Sequence, residues 1–390
     1  MTAAATAYVL LEDGTRFDGV ACGADEHAVG EIVFTTSMSG YQEAMTDPSY
    51  AGQLIVFTFP QIGNYGVSEE AMESDRIHAR AAIMRAAVDH RPARASGAEL
   101  GWCGWLTDAG TPAITDLDTR ALVRHIRDRG AMRGGVFPAR IPDRQARELI
   151  AAEPPMAGRD LAGEVTPAQA VTLEPTADGA GGDRRRVRIA MLDTGVKRSI
   201  VGNLRAQGAA VTLHPYTTSA DVLLADDPDA IFLANGPGDP AALDALVGTV
   251  RSVVGRLPVY GICLGHQLLC RAVGLETYKL AFGHHGANHP VKDLTTGRTE
   301  ITSQNHGFAV LAPGGRRTIE QDEPVRWETE FGAAELTHIN LYDRTVEGLQ
   351  LRDVPGATVQ YHPEAGPGPH DSLYLFDRFV QEIRSGSRVA

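Results

Sequence analysis

The chain has 390 residues, with 36 Lys and Arg against 49 Asp and Glu, a formal charge of −13. Its apolar fraction of 43% and charged fraction of 22% exclude a disordered, collagen-like or coiled-coil chain. The length suits roughly two to three domains, and the acidic balance argues against a general binder of phosphate backbones.

The first 150 residues read as a mixed α/β domain. Residues 7–11 and 16–22 are strand-like runs about Glu12-Asp13-Gly14-Thr15, a hairpin signal. Two more strands are expected at 31–35 and 54–59. Apolar spacing at Ile77, Ala81, Met84 and Val88 predicts a helix over 76–88. A second helix is expected at 119–129, with Asp118 as N-cap and Gly130 as its stop. Residues 151–186 read as a linker. Pro154, Pro155, Pro167 and Pro175, then the Gly- and Asp-rich run 178–183, break any periodicity. The cluster Arg184-Arg185-Arg186 reads as a solvated strand entry rather than a nucleic-acid patch.

From 187 to 390 the pattern is a second α/β domain. Strands at 187–192, 210–214, 230–233 and 258–262 alternate with helices at 197–207, 241–254 and 266–273. That alternation predicts a parallel sheet with helices on both faces. A strand at 358–361 follows, and Asp371-Ser372 is expected to cap a last helix with Leu373, Phe376, Phe379 and Ile383 on one side.

The cysteines are Cys22, Cys103, Cys263 and Cys270, too few for a disulfide scaffold and without C-x-x-C spacing. They read as reduced thiols in a cytoplasmic protein. No apolar run approaches the ~18 residues of a membrane helix. Residues 1–11, without a basic residue, make a poor signal peptide.

Ligands of parallel sheets bind beyond the carboxyl ends of the strands. Four loops fall there: Asp193-Thr194-Gly195, Asn235-Gly236-Pro237-Gly238-Asp239-Pro240, Gly261-Ile262-Cys263-Leu264-Gly265-His266-Gln267 and His362-Pro363-Glu364. Glycines two residues either side of Cys263 suit a sharp strand-to-helix turn that projects a nucleophile. The N-terminus of the following helix favours its thiolate. Pro363 holds its neighbours extended, so His362 and Glu364 point the same way, as a base and its orienting carboxylate. The backbone amides of Gly238 and Leu264 are candidate oxyanion donors. Read alone, each loop also fits a plain structural turn. A loop or interface role suits His284, His285 and His289 better than a metal cluster, since no carboxylate or thiol completes a ligand set. No metal site is expected.

These motifs, in this order, resemble those of type I glutamine amidotransferases, over about 200 residues from Val187. The first half narrows the resemblance to the carbamoyl-phosphate synthase small-subunit family. It does so through Thr36-Ser37-Met38-Ser39-Gly40-Tyr41-Gln42-Glu43, Thr46-Asp47-Pro48-Ser49-Tyr50, Ile62-Gly63-Asn64-Tyr65-Gly66 and Asp116-Leu117-Asp118-Thr119-Arg120. Residues 282–291, Gln304-Asn305-His306-Gly307-Phe308 and 363–371 carry the same resemblance. The chain departs from the family's pattern in the linker near 176–186 and at Asp193-Thr194-Gly195, where the family more often has an aromatic before the glycine.

The resemblance implies a glutaminase in which Cys263 is the nucleophile, His362 the base and Glu364 its partner. It implies that Ser49, Gly236, Gly238, Leu264, Gln267, Asn305, Gly307 and Phe308 bind glutamine, with Ser49 contributed by the N-terminal domain. It further implies a larger partner subunit, in a heterodimer or an oligomer of heterodimers. That partner would take the ammonia and spend ATP, with Mg, on carbamoyl phosphate for arginine and pyrimidine synthesis. This chain has no G-x-x-x-x-G-K-[ST] loop and is expected to carry no cofactor, nucleic acid or membrane. Three rival readings stand beside it. An α/β-hydrolase-like cysteine enzyme would place its acid before its histidine. A silent regulatory or scaffold subunit would not need Cys263, His362 and Glu364. An amidotransferase for another acceptor would lack the N-terminal domain.

Overall fold

A computed structural model of the chain describes residues 6–89, 101–176, 186–320 and 325–386. The chain divides into two compact units. One holds residues up to 159 with 281–286 and 366–368, and the other holds the remainder.

The first unit is built on β1 (Thr6–Leu11), β2 (Arg16–Ala21), β3 (Ala28–Thr35), α1 (Tyr41–Thr46), β4 (Gln53–Phe57), β5 (Ala81–Ile83), α2 (Trp102–Asp108), β6 (Ala113–Thr115), α3 (Thr119–Arg129), β7 (Met132–Pro138) and α4 (Asp143–Ala152). Its strands close into a barrel in the order β1-β2-β6-β5-β4-β3-β7, with β7 returning to β1. The hairpin about residues 12–15 forms as expected, pairing Leu10 with Arg16. Asp118 caps α3 by accepting from the Ala121 N–H, and Gly130 ends it at φ +98°.

The expected helix over 76–88 is not there. Residues 81–83 form β5, buried at every position and paired in parallel with β4 and β6. A strand closed in on both faces is apolar throughout, so the spacing of Ile77, Ala81, Met84 and Val88 matched a helical period by coincidence.

The second unit adds β8 (Val171–Leu173), β9 (Val187–Asp193), α5 (Arg198–Ala206), β10 (Ala209–Pro215), α6 (Ala220–Ala225), β11 (Ala230–Leu233), α7 (Asp244–Val253), β12 (Val259–Ile262), α8 (Leu264–Ala272), β13 (Thr277–Asp293, apart from residues 281–286), β14 (Thr299–Val310), β15 (Arg326–Thr329), β16 (Gly332–Asn340), β17 (Val346–Leu351), β18 (Gly356–Val359) and α9 (Tyr374–Ser385). One sheet runs β14-β13-β16-β17-β18-β12-β11-β9-β10-β8, with β15 beside β16. It is parallel from β10 through β9, β11 and β12 to β18, and antiparallel from β17 outward. The expected parallel sheet is therefore the centre of a mixed one.

Alternation along the central strands sends side chains to two cores. Ala190, Leu192, Ile231, Leu233 and Val259 pack with α7 and α8. Ile189, Met191, Phe232, Tyr260 and Ile262 pack with α5 and α9. The central strands are thus covered on both faces, which is what a run of buried residues in a parallel sheet requires.

Two further expectations change. The segment read as a linker supplies β8, which pairs antiparallel with β10 and extends the sheet. The run 178–183 and Arg184 and Arg185 lie outside the described residues, as do 1–5 of the N-terminal stretch; Arg186 pairs with Glu174. Asp371 and Ser372 do not cap α9. Asp371 accepts from the Ile301 N–H at 3.0 Å and the Ser372 hydroxyl donates to Glu300 at 2.6 Å, so both tie the segment to β14. Among the described residues no helix is long and apolar enough to cross a membrane.

Candidate active site

The four loops singled out in the sequence follow β9, β11, β12 and β18, which lie side by side and parallel, so all four leave the same end of the sheet. Cys263 sits between β12 and α8 at φ +56°, ψ −107°, in the left-handed half of the backbone map that a β-carbon disfavours. Its N–H is held by the Val359 carbonyl at 2.9 Å. The two flanking glycines make the turn possible. A β-carbon on Gly265 would lie 2.1 Å from the Leu233 carbonyl oxygen, and one on Gly261 would lie 2.8 Å from Gly265. The elbow is thus pressed against β11, with its thiol buried and 3.5 Å from the Asn305 carbonyl.

Beyond β18, His362 is anchored to β14 by donating its N–H to the Ser303 carbonyl at 2.9 Å. Its Nδ1 meets Oε1 of Glu364 at 2.6 Å, both side chains being closed to solvent. Burial pulls the imidazole down, but the charges of Glu364 and then Cys263 outweigh it and raise it to about 10. Cys263 and His362 therefore lie within electrostatic reach of each other. Because Nδ1 is taken by Glu364, Nε2 is the ring atom left for proton exchange.

Lys197, at the start of the helix expected over 197–207, completes this cluster. It stands just before α5, and its ammonium donates to Oε1 of Glu364 at 2.9 Å from a buried position. Burial pushes the Glu364 carboxyl up, but the charges of Lys197 and then His362 override this and lower it to about 2. Nothing in the local sequence marks this lysine, because its partner lies 167 positions away.

The residues assigned to glutamine by resemblance fall as follows. A β-carbon on Gly236 would lie 2.1 Å from the Thr194 carbonyl oxygen and 3.0 Å from the Leu264 side chain, so the loop after β11 touches both the loop after β9 and the elbow. Gly238 adopts φ +91° and bridges to Asp160. The amide nitrogen of Gln267 donates to the Phe308 carbonyl at 2.8 Å and to the Gln360 side-chain oxygen at 3.0 Å, so its own oxygen is the end that accepts. Asn305, Gly307 and Phe308 lie on β14, and the Lys279 ammonium stands 5.0 Å above the Phe308 ring. Ser49 belongs to the first unit. It sits in a single 3-10 turn and donates its N–H to the Asp47 carboxylate at 2.9 Å.

The other cysteines are placed elsewhere. Cys270 is wholly enclosed on α8, 3.8 Å from His266, and burial pushes its thiol up. Cys22 and Cys103 pack at the edge of the core of the first unit. All four are free thiols. His284 and His285 belong to the first unit and His289 to the second.

Both units match known protein families. Residues 9–136 match the family model of the carbamoyl-phosphate synthase small chain, CPSase domain, and residues 190–382 match that of class-I glutamine amidotransferase. The carbamoyl phosphate synthase small chain of Chlorobaculum tepidum is 45% identical over 379 residues, covering 96% of this chain and 97% of that protein. The small chain of Rhodopirellula baltica is 43% identical, with 97% of each chain covered. That of Syntrophotalea carbinolica is 44% identical, with 96% of each covered.

The chain belongs to the carbamoyl-phosphate synthase small-chain family. Membership separates the readings that the motifs alone left open. The triad-like cluster stands in a class-I amidotransferase domain rather than in an α/β-hydrolase. The barrel unit is the part the family model for the small chain describes.

Proposed function

We propose that this chain is the glutamine-hydrolysing subunit of carbamoyl-phosphate synthase, with Cys263, His362 and Glu364 as its catalytic triad. The observation that carries the reading is the strained elbow holding a buried thiol within electrostatic reach of a buried His–Glu pair. Cys263 Sγ attacks the side-chain carboxamide carbon of glutamine, and the amides of Gly238 and Leu264 receive the oxyanion. His362 passes its proton from Nε2 to the departing nitrogen, and the C–N bond breaks to give ammonia and a thioester. His362 then takes a proton from water as its oxygen attacks that thioester. Glutamate leaves and the thiol is restored, so glutamine and water become glutamate and ammonia. Glu364 keeps Nδ1 engaged throughout, so that the proton moves at Nε2.

In this reading Ser49, Gly236, Gly238, Leu264, Gln267, Asn305, Gly307 and Phe308 bind the glutamine. The ammonia passes to a larger partner subunit, which holds ATP and Mg and makes carbamoyl phosphate for arginine and pyrimidine synthesis. This chain itself uses no cofactor, and its free thiols suit the cytoplasm.

The deciding experiment compares wild type with Cys263→Ala, each with and without the large subunit, following carbamoyl phosphate from glutamine and separately from ammonia. The reading requires the variant to lose the glutamine-dependent reaction and keep the ammonia-dependent one. Retained glutamine use would overturn it.

A further inference from the structure

Behind the strand that carries Asn305, Gly307 and Phe308 runs a chain of buried polar side chains with a carboxylate at its far end. Glu347 sits near the start of β17, a strand buried at every position, and its own exposure is 0%. Its Oε1 accepts from the Asn340 amide at 2.8 Å, and its Oε2 accepts from the Gln304 amide at 3.0 Å. Gln304 and His306 share one face of β14, being two residues apart. His306 Nε2 lies 2.9 Å from Gln304 Oε1, and His306 Nδ1 lies 2.7 Å from the Phe308 carbonyl. The same carbonyl receives the Gln267 amide at 2.8 Å.

Hydrogen-bond roles along this chain are forced from the Glu347 end. An ionised carboxylate only accepts, so Gln304 must turn its NH2 toward Glu347 and its oxygen toward His306. That oxygen only accepts, so Nε2 must donate. The Phe308 carbonyl also only accepts, so Nδ1 must donate as well. A neutral imidazole carries one hydrogen and cannot satisfy both contacts, whereas an imidazolium can. The positive charge has its counterion close by, since a ring nitrogen of His306 and a carboxylate oxygen of Glu347 lie within 4.8 Å. Two donors on one carbonyl then hold Phe308, and with it the strand whose Asn305 carbonyl faces the Cys263 thiol.

We infer that Glu347 is a positioning residue for the glutamine site: through Gln304 it keeps His306 doubly protonated, and so fixes the Phe308 carbonyl and the 305–308 strand. The inference rests on the proposed role of that strand in binding glutamine.

Glu347→Gln offers an internal control. A neutral amide there can donate to the Gln304 oxygen. Gln304 can then turn its NH2 to Nε2, and a neutral His306 with its hydrogen on Nδ1 still holds Phe308. This variant keeps the strand in place while changing the histidine, whereas Glu347→Ala removes the far anchor.

The test uses the full chain, with nitrogen-15 labelled histidine and steady-state glutaminase assays. The His306 resonances are assigned by their loss in His306→Gln. Expected near neutral pH is a doubly protonated His306 in wild type and an Nδ1–H neutral ring in Glu347→Gln. KM for glutamine should rise roughly tenfold in Glu347→Ala, with kcat within about threefold, and return toward wild type in Glu347→Gln. A neutral His306 in wild type overturns the inference. So does an unchanged KM in folded Glu347→Ala, because a purely structural role lowers the melting temperature without moving KM. If Glu347→Ala does not fold, the ring states of wild type and Glu347→Gln decide the matter. If wild type hydrolyses no glutamine, the functional reading fails by itself, and the same resonances still decide the relay.

Discussion

Lys197 and Glu364 form a buried ion pair, 2.9 Å from ammonium to carboxylate, on the very oxygen that His362 approaches at 2.6 Å. One carboxylate oxygen thus serves two cationic partners, and the histidine is oriented by a carboxylate that the lysine keeps ionised.

Lys197→Met should destabilise the chain by about 3–5 kcal/mol, because it strands a buried carboxylate with one of its two partners gone. Glutaminase kcat should fall with it. Urea midpoints of the single variants and of the Lys197→Met, Glu364→Gln pair check this. The double variant should lose less than the sum of the singles, as expected of residues in one network.

Stability should depend on pH at both ends of the range. Glu364 is lowered from 4.5 to about 2, so its contribution is present above about 4.5 and is lost as pH falls toward 2. His362 is raised from 6.5 to about 10, so its contribution is complete below 6.5 and is lost as pH rises through 10. Urea midpoints against pH should therefore fall away on both sides of a plateau, and Glu364→Gln should flatten both limbs. An unchanged profile in that variant would remove the basis for this assignment.

Activity should follow the same charge. Glu364 is the foremost group raising the His362 imidazole against burial, so Glu364→Gln should move the alkaline limb of kcat/KM to lower pH and reduce its maximum. A pH–rate profile of wild type and variant measures both effects. A limb that stays in place would mean that another group controls it.

Two glycines in helices should respond in opposite ways to alanine. At Gly265 a β-carbon meets the Leu233 carbonyl at 2.1 Å, and backbone cannot give way as a side-chain tip can. Gly265→Ala should destabilise by roughly 1–3 kcal/mol and displace the elbow. At Gly202, in α5, nothing lies within 4 Å of a β-carbon, so Gly202→Ala should stabilise by about 0.4–1 kcal/mol. Paired denaturation curves, with activity for each variant, separate the two sites.

Several parts of this molecule are legible in its sequence. The 12–15 hairpin, the Asp118-capped helix and the alternation from 187 onward each depend on neighbours in the chain, through turn chemistry, capping and periodicity. The Cys263 elbow was legible for the same reason, since its two glycines stand beside it. Residues 81–83 fit a helical period because a strand buried on both faces leaves no period of its own to distinguish it from a helix. β8 was missed because a three-residue edge strand is defined by its pairing with β10 rather than by its own composition.

The sequence by itself determined the chemistry on offer: a thiol on a glycine-bounded turn, an imidazole and a carboxylate held apart by one proline, and four loops at strand ends. Tertiary structure alone decided which groups tune that chemistry. Lys197 reaches Glu364 across 167 positions, and Glu347 reaches Gln304 across 43. Local physics writes its signature into adjacent residues, because caps, turns and periods act over a few bonds. Electrostatic partners need only proximity in space, and the order of strands in the sheet, which brings β9 and β18 within reach of one site, sets that proximity.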